Sequence, residues 1–521
     1  MTKRLSKTTG SRLQIASHLI TCAGFADAPE PPHLRVQVST NYSRTRTVPQ
    51  AEEDMAARTN GIKPNHVLRA AAVAVPVLLA VSGAACAQSG GGSSQLTAPS
   101  SAATTTSTTN AATSLSPAWS SGTREWSGES GSSGHPLMKA DAIRQAAANF
   151  PACLEKLWPL AARRGVTRES YQRLTAGLTP DLRIMDLMDA QPEFTKAVWD
   201  YLDLLVNDAK IERGREMLAQ YAQAFAAAEK AYGVDRYILA AIWGVESNYG
   251  TAGGGRPVLR STATLACIGR RQNYFRDEFL AAVELLHRGD VAPDRLVGSW
   301  AGAFGPTQFM PTSFKRYAVD FDGDGRRNVV DSIPDVIAST ANNLKKDGWT
   351  PGHTWGYEVA LPKGFNYLLA DTSRKMPLSE WMRLGVTRVG GKQFPRPTDQ
   401  AYLLIPAGAG GPAFLMLNNF RVIMKYNPAE AYALAIGHLA DRLRGGEPIV
   451  QDWPRHERVL TSAERYELQQ HLVRRGFDIG GEPNGRINAR SRSAIKRYQA
   501  SVGLVPDGFA SADLLDRLRS R

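Results

Sequence analysis

At 521 residues the chain is too long for one hydrophobic core, so two or more domains are expected. Its 43% hydrophobic and 21% charged residues are an ordinary globular mixture, which excludes a wholly disordered or fibrous chain. Lysine and arginine number 62 against 49 aspartate and glutamate, a formal net charge of +13. That balance favours an anionic partner, and the lack of any basic block interleaved with aromatics speaks against nucleic acid.

Residues 1–54 precede an export signal and read as a non-structured extension or a misassigned start, with Met55 as a natural beginning. Residues 55–87 read as a signal peptide. Lys63, His66 and Arg69 form a basic flank, and the apolar run 70–80, broken by Pro76, is too short to span a bilayer. Two exits are open: cleavage after Ala87, or lipidation of Cys86 after cleavage behind Ala85, for which Gly83 is a poor match three residues upstream. Export places the chain in the periplasm, and a membrane contact at the outer membrane follows only if Cys86 is lipidated. Cys153 and Cys267 can pair in that oxidising compartment and would otherwise be free buried thiols. There is no metal-type Cys-x-x-Cys spacing.

Residues 88–136, rich in Ser, Thr, Gly and Ala, lack the apolar groups to fold and read as a flexible linker. A mostly helical unit spans 137–446, with helices expected over 141–162, 193–206, 210–232 and 429–444. Asn427 and Pro428 mark the start of the last of these. Short strands are expected near 358–361 and 402–405. Residues 447–457 read as a linker, and 458–521 as a compact unit of three helices over 463–475, 489–502 and 511–519.

The most informative segment runs from Ala240 to Gly250. Leu239, Ile242 and Trp243 precede Glu246 by seven, four and three residues and so share its helical face. A carboxyl among such neighbours is desolvated, which raises its pKa and suits a general acid. Gly250 is expected to end the helix, leaving Glu246 in the last turn beside a cleft. A buried Glu satisfied by a structural partner is the plainer reading of this segment alone. A second block, Gly298 to Pro311, combines glycines that admit close backbone approach with Ser299 and Gln308, which can bond sugar hydroxyls and amides.

Taken together, these blocks resemble the membrane-bound lytic transglycosylase B family over about residues 137–445. Further matches are Gln191-Pro192-Glu193-Phe194, Gly269-Arg270-Arg271, Asn419-Phe420, Tyr426-Asn427 and the segment from Tyr432 to Asp441. The resemblance implies a mainly α fold: a lysozyme-like α+β catalytic domain with a small β element and a calcium-loop insertion. It implies cleavage between N-acetylmuramic acid and N-acetylglucosamine in peptidoglycan, with the muramyl C6 hydroxyl as nucleophile and a 1,6-anhydro end as product. Glu246 would act first as acid and then as base, so one carboxyl suffices where ordinary glycosidases need two. Substrate contacts implied are Arg270, Arg271, Ser299, Gln308, Tyr426, Asn427 and Tyr432. The arginines suit anionic stem peptides, and the tyrosine faces suit sugar rings. Some members carry a Tyr where this chain has Asn343, after Ser339-Thr340-Ala341-Asn342.

A third block, Asp320 to Asp331, fits a calcium-binding loop: Asp320, Asp322 and Asp324 at positions one, three and five, Arg326 through its carbonyl, Asn328 at nine, and Asp331 at twelve. The resemblance places the last ligand slightly later, at Asp335. The implied ion is structural, and no cofactor is required for the chemistry. The alternative is a tight Asp/Gly turn without an ion. The C-terminal unit resembles the small three-helix peptidoglycan-binding domain, through Leu468-Gln469, Gly476-Phe477, Gly485-Arg486-Ile487, Tyr498-Gln499 and Asp507-Gly508. The expected partners are peptidoglycan glycan strands and other cell-wall enzymes. Two rival readings stay open: a hydrolytic muramidase, which needs a second cleft carboxylate, and a non-catalytic peptidoglycan-binding scaffold, which needs no acid.

Overall fold

The computed structural model describes residues 125–131, 135–188 and 196–520. The expected extension, signal peptide, Cys86 and the Gln191–Phe194 motif lie outside the described residues. Among the described residues no helix is long and apolar enough to cross a membrane.

The fold is mainly helical, as the sequence pattern predicts, and it is built on separate apolar cores. One gathers helices Ala140–Ala148, Phe150–Ala162, Arg168–Thr175, Val258–Cys267 and Gln272–Arg288. A second surrounds helix Arg236–Ser247, of which every residue from Ile238 to Ser247 is buried, together with helices Val198–Leu205, Asp208–Gln220, Ala222–Tyr232 and Glu430–Leu443. Helix Ile333–Lys346 lies against this second core through Ile337, Ala338, Ala341 and Leu344. The β element is a five-stranded antiparallel sheet in the order Met376–Pro377, Gln400–Leu404, Ala413–Met416, Gly356–Ala360, Thr387–Arg388. It packs over its own core around Trp381.

Helix 141–162 is interrupted at Asn149, where Pro151 near the start of Phe150–Ala162 begins a new helix. Helix 210–232 is interrupted at Tyr221. Residues 196–197 precede helix Val198–Leu205 in extended form, so that helix starts later than expected. The Ser/Thr/Gly-rich linker was expected to reach residue 136, but 125–131 pack on the body. Trp126 joins the first core, the Ser127 hydroxyl donates to Asp186 at 2.6 Å, and Arg144 donates to the Gly128 carbonyl at 3.0 Å.

The segment 447–457 has no regular structure, as expected of a linker, yet it is pinned. The Gln451 amide donates to Glu358 at 2.8 Å, Trp453 lies against Trp199 and Phe414, and Arg455 pairs with Asp203. Beyond it, helices Ser462–Arg474, Ala489–Ser501 and Ala512–Arg519 enclose a small core of Leu468, Leu472, Ile495, Tyr498 and Leu515. The first of these helices carries a full capping box between Thr461 and Glu464.

A disulfide joins Cys153 to Cys267, 114 residues apart, and ties helix Phe150–Ala162 to the C-terminal end of Val258–Cys267. Closing so long a loop in the unfolded chain stabilises the fold by about 4 kcal/mol. Reduction of the protein should lower the urea midpoint accordingly, and the double variant Cys153→Ser/Cys267→Ser should melt at the reduced midpoint with or without reductant. Equal midpoints for reduced and oxidised wild type would remove the disulfide from the stability account.

Candidate active site

Glu246 lies in the last turn of helix Arg236–Ser247 and is 3% exposed. The helix ends one residue beyond it, earlier than Gly250. Asn248 adopts a left-handed conformation (φ 49°) and Tyr249 follows it (φ 58°). Two successive non-glycine residues in this region store strain beside the carboxylate. The Tyr249 ring fills the space against Gly244 and Gly214, where any Cβ would collide with it, and its hydroxyl donates to the Lys210 carbonyl at 3.0 Å. Lys210 is buried, and its ammonium donates to the Gly244 carbonyl at 2.8 Å. That cation near the helix C-terminus fits the helix dipole, although burial lowers its pKa to about 8.

The carboxylate is met by Tyr432, from the first turn of helix Glu430–Leu443. Its hydroxyl donates to Oε1 of Glu246 at 2.6 Å. Tyr432 is 2% exposed, and burial together with the Glu246 charge pushes its pKa well above the ordinary value, so the phenol stays an O–H donor. Tyr426 is also raised by burial and by Glu246, which places it at the same site, and its hydroxyl donates to the Thr307 carbonyl. Tyr432 therefore has no exposed ring face to offer a sugar, contrary to the expectation of stacking. Its contact is with Glu246 itself.

The Gly298–Pro311 block forms a small hairpin through bridges Gly298–Phe304 and Phe304–Phe309. A Cβ at Gly298 would come within 1.9 Å of the Ala303 carbonyl oxygen, so only glycine closes this turn. The hairpin is knitted to the end of helix Arg236–Ser247. Ser247 donates to the Pro306 carbonyl, and Gln308 Nε2 donates to Gly253 at 3.1 Å and to Gly305 at 2.8 Å. With both amide hydrogens directed to carbonyls, Gln308 Oε1 is left buried without a hydrogen-bond partner. Thr307 binds Thr340 hydroxyl to hydroxyl at 3.0 Å. Asn343, one turn along from Thr340, is likewise buried with an unpartnered Oδ1.

The other expected contacts divide. Ser299 is buried, and its hydroxyl accepts the Ala303 amide at 3.0 Å inside the hairpin. Asn427 is buried and accepts the Ala429 amide at 3.2 Å, ahead of helix Glu430–Leu443. Arg270 is buried and donates to the Met188 carbonyl at 2.9 Å. Arg271, half-buried and left-handed (φ 64°), lies over Tyr274. Lys210, Ser247 and Thr307 were not singled out from sequence. Their roles come from partners far along the chain, and no local pattern marks them.

In the acidic loop, oxygens of Asp320, Asp322 and Asp335 lie within 4.8 Å of one another. Asp335 is buried and accepts the backbone amides of Phe321 and Asn328, each at 2.7 Å. Burial raises its pKa, and the charge of Asp322 adds to the rise while those amides oppose it. Asp331, expected at position twelve, turns away and pairs with Arg295. Asp324 and Asn328 accept backbone amides within the loop, from Arg326 and from Val330 and Asp331 respectively. A Cβ at Gly305 would strike the Val329 carbonyl at 2.2 Å, so the acidic loop and the hairpin touch backbone to backbone.

Five carboxylates are buried among the described residues: Asp181, Glu246, Glu278, Glu284 and Asp335. Asp181 pairs with Arg256, Glu278 accepts from Thr312, Glu284 pairs with Lys315, and Asp335 serves the acidic loop. Glu278 is also hydrogen-bonded to a tyrosine, Tyr274, whereas Glu246 is met by Tyr432 from helix Glu430–Leu443. Tyr432→Phe should lower turnover about tenfold, the size of one lost hydrogen bond. Steady-state assays on purified cell wall test this, and unchanged turnover would remove the phenol from the site's chemistry.

Residues 149–441 match the family described as "Transglycosylase SLT domain", and residues 461–518 match a peptidoglycan binding domain family. The chain is 31% identical over 311 residues to "Membrane-bound lytic murein transglycosylase B" of Escherichia coli (strain K12), covering 56% of this chain and 82% of that protein. Its structure is similar to that of SltB3 from Pseudomonas aeruginosa in complex with NAG-anhNAM-pentapeptide, with a TM-score of 0.68 at 45% identity, covering 71% of this chain and 99% of that one. It is also similar to the soluble lytic transglycosylase SltB1 from the same organism, with a TM-score of 0.51 at 31% identity, covering 57% and 100%. With Glu246 at the end of its helix, the hairpin knitted against it and a wall-binding domain behind, the chain belongs to the membrane-bound lytic transglycosylase B family of peptidoglycan lytic transglycosylases.

Proposed function

We propose that Glu246 is the sole acid and base of a transglycosylation that leaves a 1,6-anhydromuramyl end. The observation that carries this reading is a buried carboxylate that accepts a hydrogen bond from a phenol. Burial disfavours the charged form of a carboxyl, which suits a general acid. Glu246 protonates the glycosidic oxygen as its bond to the muramyl C1 breaks, and the N-acetylglucosamine leaves as an alcohol. The carboxylate then takes the proton of the C6 hydroxyl as that oxygen bonds to C1. The exchange is redox-neutral and consumes no water, so it needs neither a cofactor nor a second carboxylate. The commitment of the other buried carboxylates elsewhere supports this over hydrolysis, as does the anhydro-muramyl ligand in the SltB3 complex.

Gln308 Oε1 is the strongest candidate contact with substrate. It is an oriented, buried acceptor that a sugar hydroxyl or acetamide N–H would satisfy. Tyr426 and Arg271, both half-buried, are the remaining candidates with surface to offer. Ser299, Asn427, Arg270 and Tyr432 support the cleft from within. An exported, periplasmic enzyme fits this substrate, and the Cys153–Cys267 disulfide fits an oxidising compartment.

Digestion of purified sacculi followed by mass analysis tests the reaction. Products lighter by one water than hydrolytic muropeptides are expected, whereas reducing ends would replace the proposal with hydrolysis. Glu246→Gln should reduce release about a thousandfold and leave co-sedimentation with sacculi unchanged. Residual release near wild type would move the acid to another residue.

We further propose that the acidic loop holds a structural calcium ion through Asp320, Asp322 and Asp335. The donor set is entirely oxygen, which suits a hard cation, and three carboxylates in such proximity repel one another without one. Free calcium at a hundred times its dissociation constant should stabilise the protein by about 2.7 kcal/mol. Asp322→Asn should abolish the thermal shift, and Asp331→Asn should retain it. A shift lost in Asp331→Asn and kept in Asp322→Asn would reverse the ligand assignment.

A further inference from the structure

The C-terminal domain meets the catalytic domain at the beginning of the helix that supplies Tyr432. Arg492, on helix Ala489–Ser501, grips Glu430 with both ends of its guanidinium, at 2.8 and 2.7 Å. Glu430 is the first residue of helix Glu430–Leu443, and the N-cap position before it, Ala429, has no side chain able to cap. Two residues later comes Tyr432, whose hydroxyl reaches Glu246. Tyr402 is acted on by the charges of Glu430, Arg421 and Arg492, so these groups lie together at the junction. Other contacts fix the same face. Lys496 donates to the Tyr367 and Ala370 carbonyls, Asp507 accepts the Ala409 amide at 2.9 Å, and Phe509 joins a cluster with Trp199, Ala407 and Trp453.

We propose that Arg492 is a positioning residue for the acid: by holding Glu430 it sets where Tyr432 meets Glu246. Docking of the C-terminal domain then conditions turnover itself and not only adhesion to the wall. Two features make this physical. A bidentate arginine–carboxylate fork fixes direction as well as distance. The helix it holds is buried along most of its length against the acid helix, so a tilt at its first turn moves Tyr432 relative to Glu246. Arg492 touches neither substrate nor acid; its effect passes through Glu430 and the first helical turn.

The inference rests on the transglycosylase reading, and a soluble substrate separates the two. On a tetrasaccharide of two GlcNAc-MurNAc repeats with stem peptides, Arg492→Ala and Glu430→Gln in the full chain should each lower kcat about tenfold, the size of one misaligned hydrogen bond. KM should stay within about twofold. The double variant should be no slower than either single variant, because both remove one interaction. Arg492→Lys, which keeps the charge, should recover part of the loss. Wild-type kcat on the tetrasaccharide in Arg492→Ala, with loss only on sacculi, would reduce the residue to an adhesion role. Losses that multiply in the double variant would break the link through Glu430. Should Arg492→Ala fail to fold, the isosteric Glu430→Gln carries the same comparison alone. A wild-type enzyme that cleaves neither tetrasaccharide nor sacculi would defeat the functional reading beneath, whereas variants as fast as an active wild type defeat only the coupling.

Discussion

A carboxyl group that must change charge inside a protein needs a partner that tolerates both states. The hydrogen bond from Tyr432 to Glu246 fits that need for the proposed acid, and helix packing holds the two together. A buried cation in the same place would hold the carboxylate ionised, and no partner at all would leave a costly orphan. A phenol donates without bringing charge, and burial keeps its own proton in place. Lys210, a buried cation, donates to the Gly244 carbonyl in the helix that carries Glu246.

The two partners are 186 residues apart, so their meeting depends on helix packing. Helices Arg236–Ser247 and Glu430–Leu443 lie in one apolar core, where small changes of volume are felt. At the open end of the acid helix the constraint passes to backbone geometry. Gly298 and Gly305 exist there because a Cβ would overlap a carbonyl oxygen. The left-handed turn at Asn248 and Tyr249 brings Gly253 within reach of Gln308 and tucks the Tyr249 ring under Gly244. The result is an oriented acceptor, Gln308 Oε1, whose geometry is fixed before any ligand arrives, so binding need not spend free energy on ordering it.

What the sequence disclosed follows the range of the interactions involved. Helical periodicity placed the three C-terminal helices to within a residue, because an apolar stripe is a local pattern, while the helix of Glu246 ends at Ser247, ahead of Gly250. The break at Asn149 had a signal in Pro151, whereas the break at Tyr221 had none, being a matter of how two helices pack. Ala413–Met416, a short run buried throughout, is the central strand of the sheet, and its length gave no periodicity to read. Glu246 was legible from its own neighbours, but the role of Tyr432 was not, since nothing near residue 432 records a carboxylate at 246. The acidic loop shows the same limit. Spacing alone nominated Asp331, which pairs with Arg295, whereas Asp335 of the next helix lies beside Asp320 and Asp322.

Two domains joined by a free linker would influence each other only through local concentration, which depends on linker length and not on orientation. The segment between these domains is not free in that sense. Glu358 accepts its backbone amides, and Trp453 is wedged between Trp199 and Phe414. Beyond it, charged groups of the wall-binding domain close onto carbonyls and a carboxylate of the catalytic domain. The distance and angle between the wall-binding helices and Glu246 are therefore properties of a packed interface. For the proposed enzyme, that interface fixes the C-terminal helices and Glu246 in one mutual orientation.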